Sequence, residues 1–357
     1  MIFKAILSNK AHPELGQATI PLPIRDIEYD HTIGLLESMD IGSPTAQDCR
    51  VDGLDSSYPI LDQLVTQTVN VDELDYLAKR LDSFCQGEIE KFQAMASQLC
   101  LSDIKDFINL TFCCQQATVI TDFTDLERIG KDHALTVCGD SMSMEMIERV
   151  GGRTVALDLI QRGAGTITPY GVVYGNGMKL EPLYDGQHFP AYVYQPSQLT
   201  VEIKSGPEGE VTGHLYLPCP DRQIQRTLFR AGSGWEGFRF EITTDELPPQ
   251  VSSLVSPDCD GLEELNALCR AIEPLNAEQR EKLDAVVLLA RPKYAGEVRQ
   301  LAQNLDQFKF VPKPFDSNAD CAMTDLGYVA YHSCLTLEEL MRDDPTEQSQ
   351  REMRGII

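Results

Sequence analysis

One order of events is written twice in this chain, and that repetition constrains the fold more than any other feature. FKAILSN, the turn-rich AHPELGQ and ATIPLP read as strand, loop and strand, closing in P-x-P at Pro21 and Pro23. LTVEIKS, GPEGEVT and GHLYLPCP repeat that order and close at Pro218 and Pro220. Alternation of Val201 with Ile203, and of Leu215 with Leu217, is the period-two pattern of half-buried strands joined as a hairpin. After each P-x-P a short helical pattern runs to a glycine: HTIGLLESMDIG stops at Gly42 and DRQIQRTLFRAG at Gly232. Glycine suits a left-handed helix terminus because it has no Cβ to clash there. DCRVDGLDSSYP then parallels GFRFEITTDELPP, with Arg50, Val51 and Asp52 matching Arg239, Phe240 and Glu241.

Each copy next enters a pair of amphipathic helices, VDELDYLAKRLDSFCQGEIEKFQAMA from Val71 and LEELNALCRAIEPLNAEQREKLDAVV from Leu262. Leu74, Leu77 and Leu81 match Leu265, Leu268 and Ile272 at helical spacing, while Phe92 and Met95 match Leu283 and Val286. An apolar stripe inward and carboxylates outward is the amphipathic arrangement. A third such stretch follows in both copies, LSDIKDFINLTF from Leu101 and AGEVRQLAQNLDQF from Ala295.

The expectation is an α+β chain of tandem small α/β modules, each made of a hairpin, a short helix, an acidic strand and amphipathic helices. Residues 1–136 form the first module and 198–335 the second. Between them, 137–197 reads as an inserted α/β segment without counterpart. In it IERVGGRTVALDLIQRGAG is expected as strand and helix, and YGVVYGNGMKLEPLY as a hairpin turning at its GNG. Residues 336–357 read as a short helix and a polar tail.

Charge narrows the function. The 357 residues carry 30 Lys plus Arg against 55 Asp plus Glu, a net −25. A chain so acidic repels nucleic acid, whose binding rests on neutralising phosphates with Lys and Arg. The excess is spread out: 22 acids and 10 bases in 1–136, 9 and 5 in 137–213, 24 and 15 in 214–357. It therefore belongs to the modules and not to one acidic tail. Its simplest reading is solubility; a sharper one is a surface shaped for a basic cleft. Asp72, Glu73, Glu263 and Glu264 also stand near helix starts, where carboxylates stabilise the positive end by roughly 0.3–1 kcal/mol.

Eleven cysteines, an odd number with no C-x-x-C, read as free thiols of a reducing compartment. Adjacent Cys113 and Cys114, with Cys85, Cys100, Cys269 and Cys321 among apolar neighbours, are expected to be buried. No apolar run approaches the roughly 20 residues that span a bilayer, so a cytoplasmic protein without a membrane partner is expected.

Signatures of catalysis are missing. RGAGTITPYG lacks phosphate-loop spacing, no G-x-G-x-x-G follows a strand, and AGSGWEG around Ser233 is not G-x-S-x-G. His12, His31, His133, His188, His214 and His332 lie far apart and never form H-x-x-x-H, so neither a metal nor another cofactor is expected. Asp122, Asp125 and Asp132 with His133 form the densest polar cluster of the first copy, more readily a loop satisfying its own backbone than an acid and base pair. An enzyme in the middle segment would have to use Asp158, Asp185 and His188. RPKYAGEVR is read as a source of structural ion pairs, and the tyrosines of FPAYVYQP as packing residues.

A strand ending in proline, a short helix, an acidic strand such as FEITTDELP and acidic helices such as LEELNALCRAIEPLNAEQREKL resemble the ArdA-type antirestriction proteins of conjugative elements. The likeness is clearest over 212–310, fainter over 1–136 and absent from the middle. ArdA-type proteins are elongated acidic DNA mimics without catalytic residues, which dimerise and occupy the DNA-binding groove of type I restriction-modification enzymes. The resemblance implies that Asp245, Glu246, Glu263, Glu264, Glu273, Glu278, Glu281 and Asp284 stand in for phosphates. In the first copy it implies the same for Asp72, Glu73, Asp75, Asp82, Glu88 and Glu90. Two copies in one chain depart from the family, so a pseudo-symmetric monomer and a homodimer are both open. From another class, the repeats are expected of a non-enzymatic adaptor of a mobile element, holding a protein partner by apolar surfaces with weak salt dependence.

Overall fold

A computed structural model describes residues 1–141, 143–205, 209–232, 238–311, 321–324, 327–333 and 335–342. The fold is α+β, with several small antiparallel sheets, and the chain divides into two compact units, Met1–Tyr194 and Gln195–Ile357. Ser233 and the polar tail beyond 342 lie outside the described residues.

The first unit opens with β1 (Phe3–Asn9) and β2 (Gln17–Leu22), an antiparallel hairpin pairing Phe3 with Leu22 and Ser8 with Gln17. Its inner face carries Phe3, Ala5, Leu7, Ala18, Ile20 and Leu22, the alternation expected of a sheet with one buried side. Helix α1 (Asp26–Ser38) ends before Gly42, which sits at φ 85°; a Cβ there would meet that of Leu36 at 2.9 Å. The return strand β3 (Cys49–Ser56) pairs with the far edge of β1 and is itself capped by β4 (Thr68–Val69). Helices α2 (Val71–Asp82), α3 (Gln86–Gln98) and α4 (Ile104–Leu110) bury Leu74, Leu77, Leu81, Phe92, Met95, Phe107 and Ile108 in the same core.

A second sheet follows. Strand β5 (Thr118–Ile120) leads into helices α5 (Leu126–Cys138), α6 (Met144–Arg149) and α7 (Gly152–Arg162), and then into the hairpin β6 (Thr166–Thr168) and β7 (Gly171–Tyr174). Strand order is β5-β7-β6. Helices α5 and α7 cross closely because both contribute glycine: a Cβ on Gly130 would lie 1.8 Å from the Gly152 carbonyl oxygen. Residues 175–194 then return as an irregular strap over α2 and α4.

The second unit repeats the plan. The hairpin β8 (Leu199–Ser205) and β9 (Glu210–Leu217), helix α8 (Asp221–Arg230) and return strand β10 (Arg239–Asp245) form a sheet of order β10-β8-β9. The short α9 (Pro249–Ser252) precedes α10 (Leu262–Ile272), α11 (Ala277–Ala290) and α12 (Ala295–Gln303). Strand β11 (Phe308–Val311) then joins the hairpin β12 (Cys321–Thr324) and β13 (Gly327–Tyr331) in the order β11-β13-β12, and α13 (Leu337–Met341) returns to pack on α12. Its core gathers Leu199, Val201, Leu215, Leu217, Leu265, Leu268, Ile272, Leu283 and Val286.

This plan redraws the middle of the chain. The boundary expected at 136/137 falls inside α5, and the first unit runs to Tyr194. The segment 137–197 is not wholly without counterpart: β6 and β7 complete a sheet whose first-third-second order recurs in β11, β12 and β13. Only 121–165, containing α5 to α7, lies between the first two strands of that sheet. IERV belongs to α6 and its approach to α7, not to a strand. The hairpin turns at Pro169 and Tyr170; the GNG sequence makes a tight turn, with Met178 donating its amide to the Gly175 carbonyl, and residues 175–194 after it form no strand.

Candidate partner-binding surface

The repeat is fixed by one polar junction built twice. In the first unit, the backbone amide of Ile24, just before α1, donates to Asp75 of α2 at 2.7 Å, and the Lys79 ammonium pairs with the same carboxylate at 2.8 Å. Burial works against the Lys79 charge, but Asp75, joined by Asp26 and Asp72, outweighs it and holds the ammonium above its usual range. In the second unit the amide of Cys219, before α8, donates to Asn266 of α10 at 2.9 Å. Asn266 returns its amide to the Cys219 carbonyl, and Arg270 pairs with Asp221 at 2.9 Å. Asp75 and Asn266, and Lys79 and Arg270, occupy the same helical positions, so the junction aligns the whole of α2 with α10.

That alignment lets the carboxylates of the two helix pairs be compared one by one. Asn70 and Glu73 form a reciprocal capping box at the start of α2. Glu73 is buried at 1% exposure, where it also takes the Tyr184 hydroxyl at 2.8 Å. Asp75 is equally enclosed. Neither Glu73 nor Asp75 is on the surface, which corrects their assignment as phosphate stand-ins: their oxygens are used by an inner amide, an inner ammonium and a phenol. Asp72 is half-buried and accepts the Tyr29 hydroxyl. Glu88 closes the cap of α3 by accepting the Cys85 amide, and Glu90 accepts from Gln86. Asp82 is exposed, yet accepts the Tyr194 hydroxyl at 2.5 Å; burial first and this carboxylate second push the phenol's pKa up.

The second unit differs. Asp245, Glu246, Glu263, Glu273 and Glu278 are exposed, and none forms an ion pair among the described residues. Two arginines of this helix bundle are committed inward, whereas Lys282 lies within electrostatic reach of Glu278. Arg280 donates to the carbonyls of Leu275, Ile272 and Glu246 at the turn between α10 and α11. Arg299, itself 6% exposed, pairs with Glu264 at 2.8 Å and takes that residue off the list of open carboxylates. Glu281 is half-buried on α11. Asp284 accepts the Gln250 amide at the start of α9, and burial raises its pKa.

Residues considered for catalysis are engaged locally. Asp122 accepts from the hydroxyl and amide of Thr124, which hold its carboxyl below the usual range. Asp125 caps α5, and His133 meets the Thr118 hydroxyl at 2.8 Å. Asp158 pairs with Arg162 along α7, whereas Asp185 and His188 pair within one turn of the strap. Among the described residues no group of three or more His, Cys, Asp or Glu side chains is placed to hold a metal, and no helix is long and apolar enough to cross a membrane. Cys113, Cys114 and Cys269 are buried as expected, burial pushing the Cys114 thiol up to about 12. Cys85 and Cys100, by contrast, are exposed, since both sit at turns after the apolar stripe has ended; the Cys321 side chain lies outside the described set.

Sequence reasoning missed Tyr184, Asn109 and Arg280. Asn109 pairs twice with the Tyr184 backbone, at 3.1 and 2.7 Å, a contact 75 positions apart that no local pattern announces. No protein-family model, curated protein or solved structure matches the chain.

Proposed function

We propose that this protein is a non-catalytic DNA mimic of the antirestriction type, whose acidic surface enters the DNA-binding groove of a type I restriction-modification enzyme. The choice of target comes from the ArdA resemblance; what supports mimicry in this chain is its own charge and geometry. The observation that carries it is the exposed set Asp245, Glu246, Glu263, Glu273 and Glu278, outside any ion pair among the described residues while Arg280 and Arg299 are turned to internal acceptors. Like charges kept unpaired on one unit destabilise it by mutual repulsion and carry a use when a basic partner receives them. Charge is sufficient for a short duplex. Met1–Tyr194 holds 28 acids and 14 bases, and Gln195–Ile357 holds 27 and 16. Duplex DNA has one charge per roughly 1.7 Å, so net charges of this size equal about six or seven base pairs per unit.

Competition between the purified protein and duplex DNA for a type I modification methyltransferase tests the proposal. Displacement that weakens at least about tenfold between low and physiological salt is expected. Absence of displacement at low salt overturns it. The adaptor reading is favoured by one feature, the exposed Leu135, Val137 and Met146 on α5 and α6, and predicts partner capture that salt leaves unchanged.

A further inference from the structure

We infer that the two units do not share the docking role: the first has closed its copy of the acidic face with its own strap, and the second presents the face that a basic groove receives. This inference rests on the proposed mimicry and assigns it to one unit.

The strap, residues 175–194, is seated on α2 by aromatic and polar contacts along its length. Tyr184 is fully buried, its hydroxyl on Glu73. Phe189 stacks between Tyr184 and Tyr76, with ring centroids at 4.9 and 4.6 Å, and the Tyr76 hydroxyl donates to the Pro190 carbonyl. Tyr192 donates to the Lys79 carbonyl, while the Arg80 guanidinium lies 4.4 Å from its ring and 4.2 Å from that of Phe112. Tyr194 completes the seat on Asp82. An extended segment of chain is thus already bound to this face, and two of its donors end on carboxylates.

Position by position, the second unit has lost the seat and kept the charge. Tyr76 and Arg80 correspond to Ala267 and Ala271, which offer neither a stacking ring nor a guanidinium. Asp82 corresponds to Glu273, exposed and with no phenol on it among the described residues, and Asp72, which accepts from Tyr29 of α1, to Glu263, also exposed. Of the two carboxylates that hold strap donors in the first unit, Asp82 therefore matches an open position in the second, Glu273, while Glu73 matches Glu264, which Arg299 engages instead. A DNA-binding groove, lined with Lys and Arg for phosphates, supplies the matching donors. A covered face cannot enter such a groove without releasing the strap, so the open copy is the one that docks.

The test uses the full-length protein and the same methyltransferase competition. Glu263→Lys, Glu273→Lys and Glu278→Lys together are expected to weaken displacement about 30-fold or more, through lost attraction and new repulsion. Asp72→Lys, Asp82→Lys and Glu90→Lys, an equal change of charge, are expected to weaken it less than about threefold. Hydrogen exchange on the unmutated complex, which does not depend on how variants fold, is expected to show protection over 239–246 and 262–284, with the strap and α2 unchanged. Equal loss from both triple variants, or protection of α2 with release of the strap, overturns the inference and leaves mimicry standing. Displacement by wild type that neither triple variant alters overturns both.

Discussion

The two units follow the same course through hairpin, helix, return strand and helix pair, yet they finish the buried side of the first helix of that pair with different chemistry. In the first unit the junction beneath α2 is charged, Asp75 against Lys79, and the N-terminal Glu73 is sealed by a tyrosine from the strap. In the second the same positions hold a neutral Asn266, an outward Arg270 and a Glu264 paired with Arg299. The comparison teaches that one backbone plan tolerates opposite uses of its acids. Where carboxylates are inside, they fasten elements together; where donors inside are neutral or supplied by arginine, the remaining carboxylates are left for solvent or a partner.

The sharpest way to break this comparison is to remove the cation from both junctions. Lys79→Met leaves Asp75, whose side chain is 6% exposed, as an uncompensated buried carboxylate. A loss of about 3–5 kcal/mol is expected, confined to the first unit. Arg270→Met acts where the guanidinium is 44% exposed and its acceptor neutral or solvated, and is expected to cost about 1 kcal/mol or less. Denaturant unfolding followed by hydrogen exchange reads the two units separately. Equal losses would show that the junctions are the same interaction written with different residues.

A smaller effect probes the feature found in one unit only. Gly152→Ala places a Cβ 2.1 Å from the Glu127 carbonyl oxygen, where backbone must move. The crossing of α5 and α7 is expected to lose about 1–3 kcal/mol, as overpacked sites do. Amide protection should fall across α5 and α7 while β5, β6 and β7 keep theirs, because that sheet recurs in the second unit without these helices. Loss of protection in the strands as well would make α5 to α7 part of the repeat's own core.

How much of this was legible depends on the range of each interaction. Hairpins announce themselves by alternation over a few residues, as Val201, Ile203, Leu215 and Leu217 do, and all four are buried. The helix pairs follow from the three-to-four spacing of Leu74, Leu77 and Leu81 and their matches. Carboxylate burial is another matter. Asp72, Glu73 and Asp75 look alike in sequence, and only contacts with Tyr29, Tyr184 and Ile24, 43, 111 and 51 positions away, separate their roles. Likewise β5 and β7 pair across the three helices between them, so the middle segment looks foreign in sequence although its residues 166–174 complete a repeated sheet. The acidic surface was legible as composition, but which carboxylates compose it was not.

Acid provides the mildest test of the difference between the units, because the strap has a titrating turn of its own. Asp185 accepts the amides of Gln187 and His188 and faces His188 Nδ1 at 2.7 Å. Burial opposes its charge, yet the bonds from His188 and Gln187 prevail and hold the carboxyl down at about 2. Since the folded pKa lies below the unfolded value of about 3.9, the turn contributes stability that is complete above about pH 4 and lost as pH falls toward 2. With the Asp185 side chain 54% exposed, solvent screening reduces the contribution to well below about 1 kcal/mol. Tyrosine emission and amide exchange should therefore show the strap loosening from about pH 4 downward. Asp185→Asn should remove that pH dependence while leaving the strap's anchors at Glu73 and Asp82 in place. Were the strap equally fixed at pH 2 and pH 5, Tyr184 and the Tyr76–Phe189 stack would hold it alone, and the turn would be a passive link between anchors.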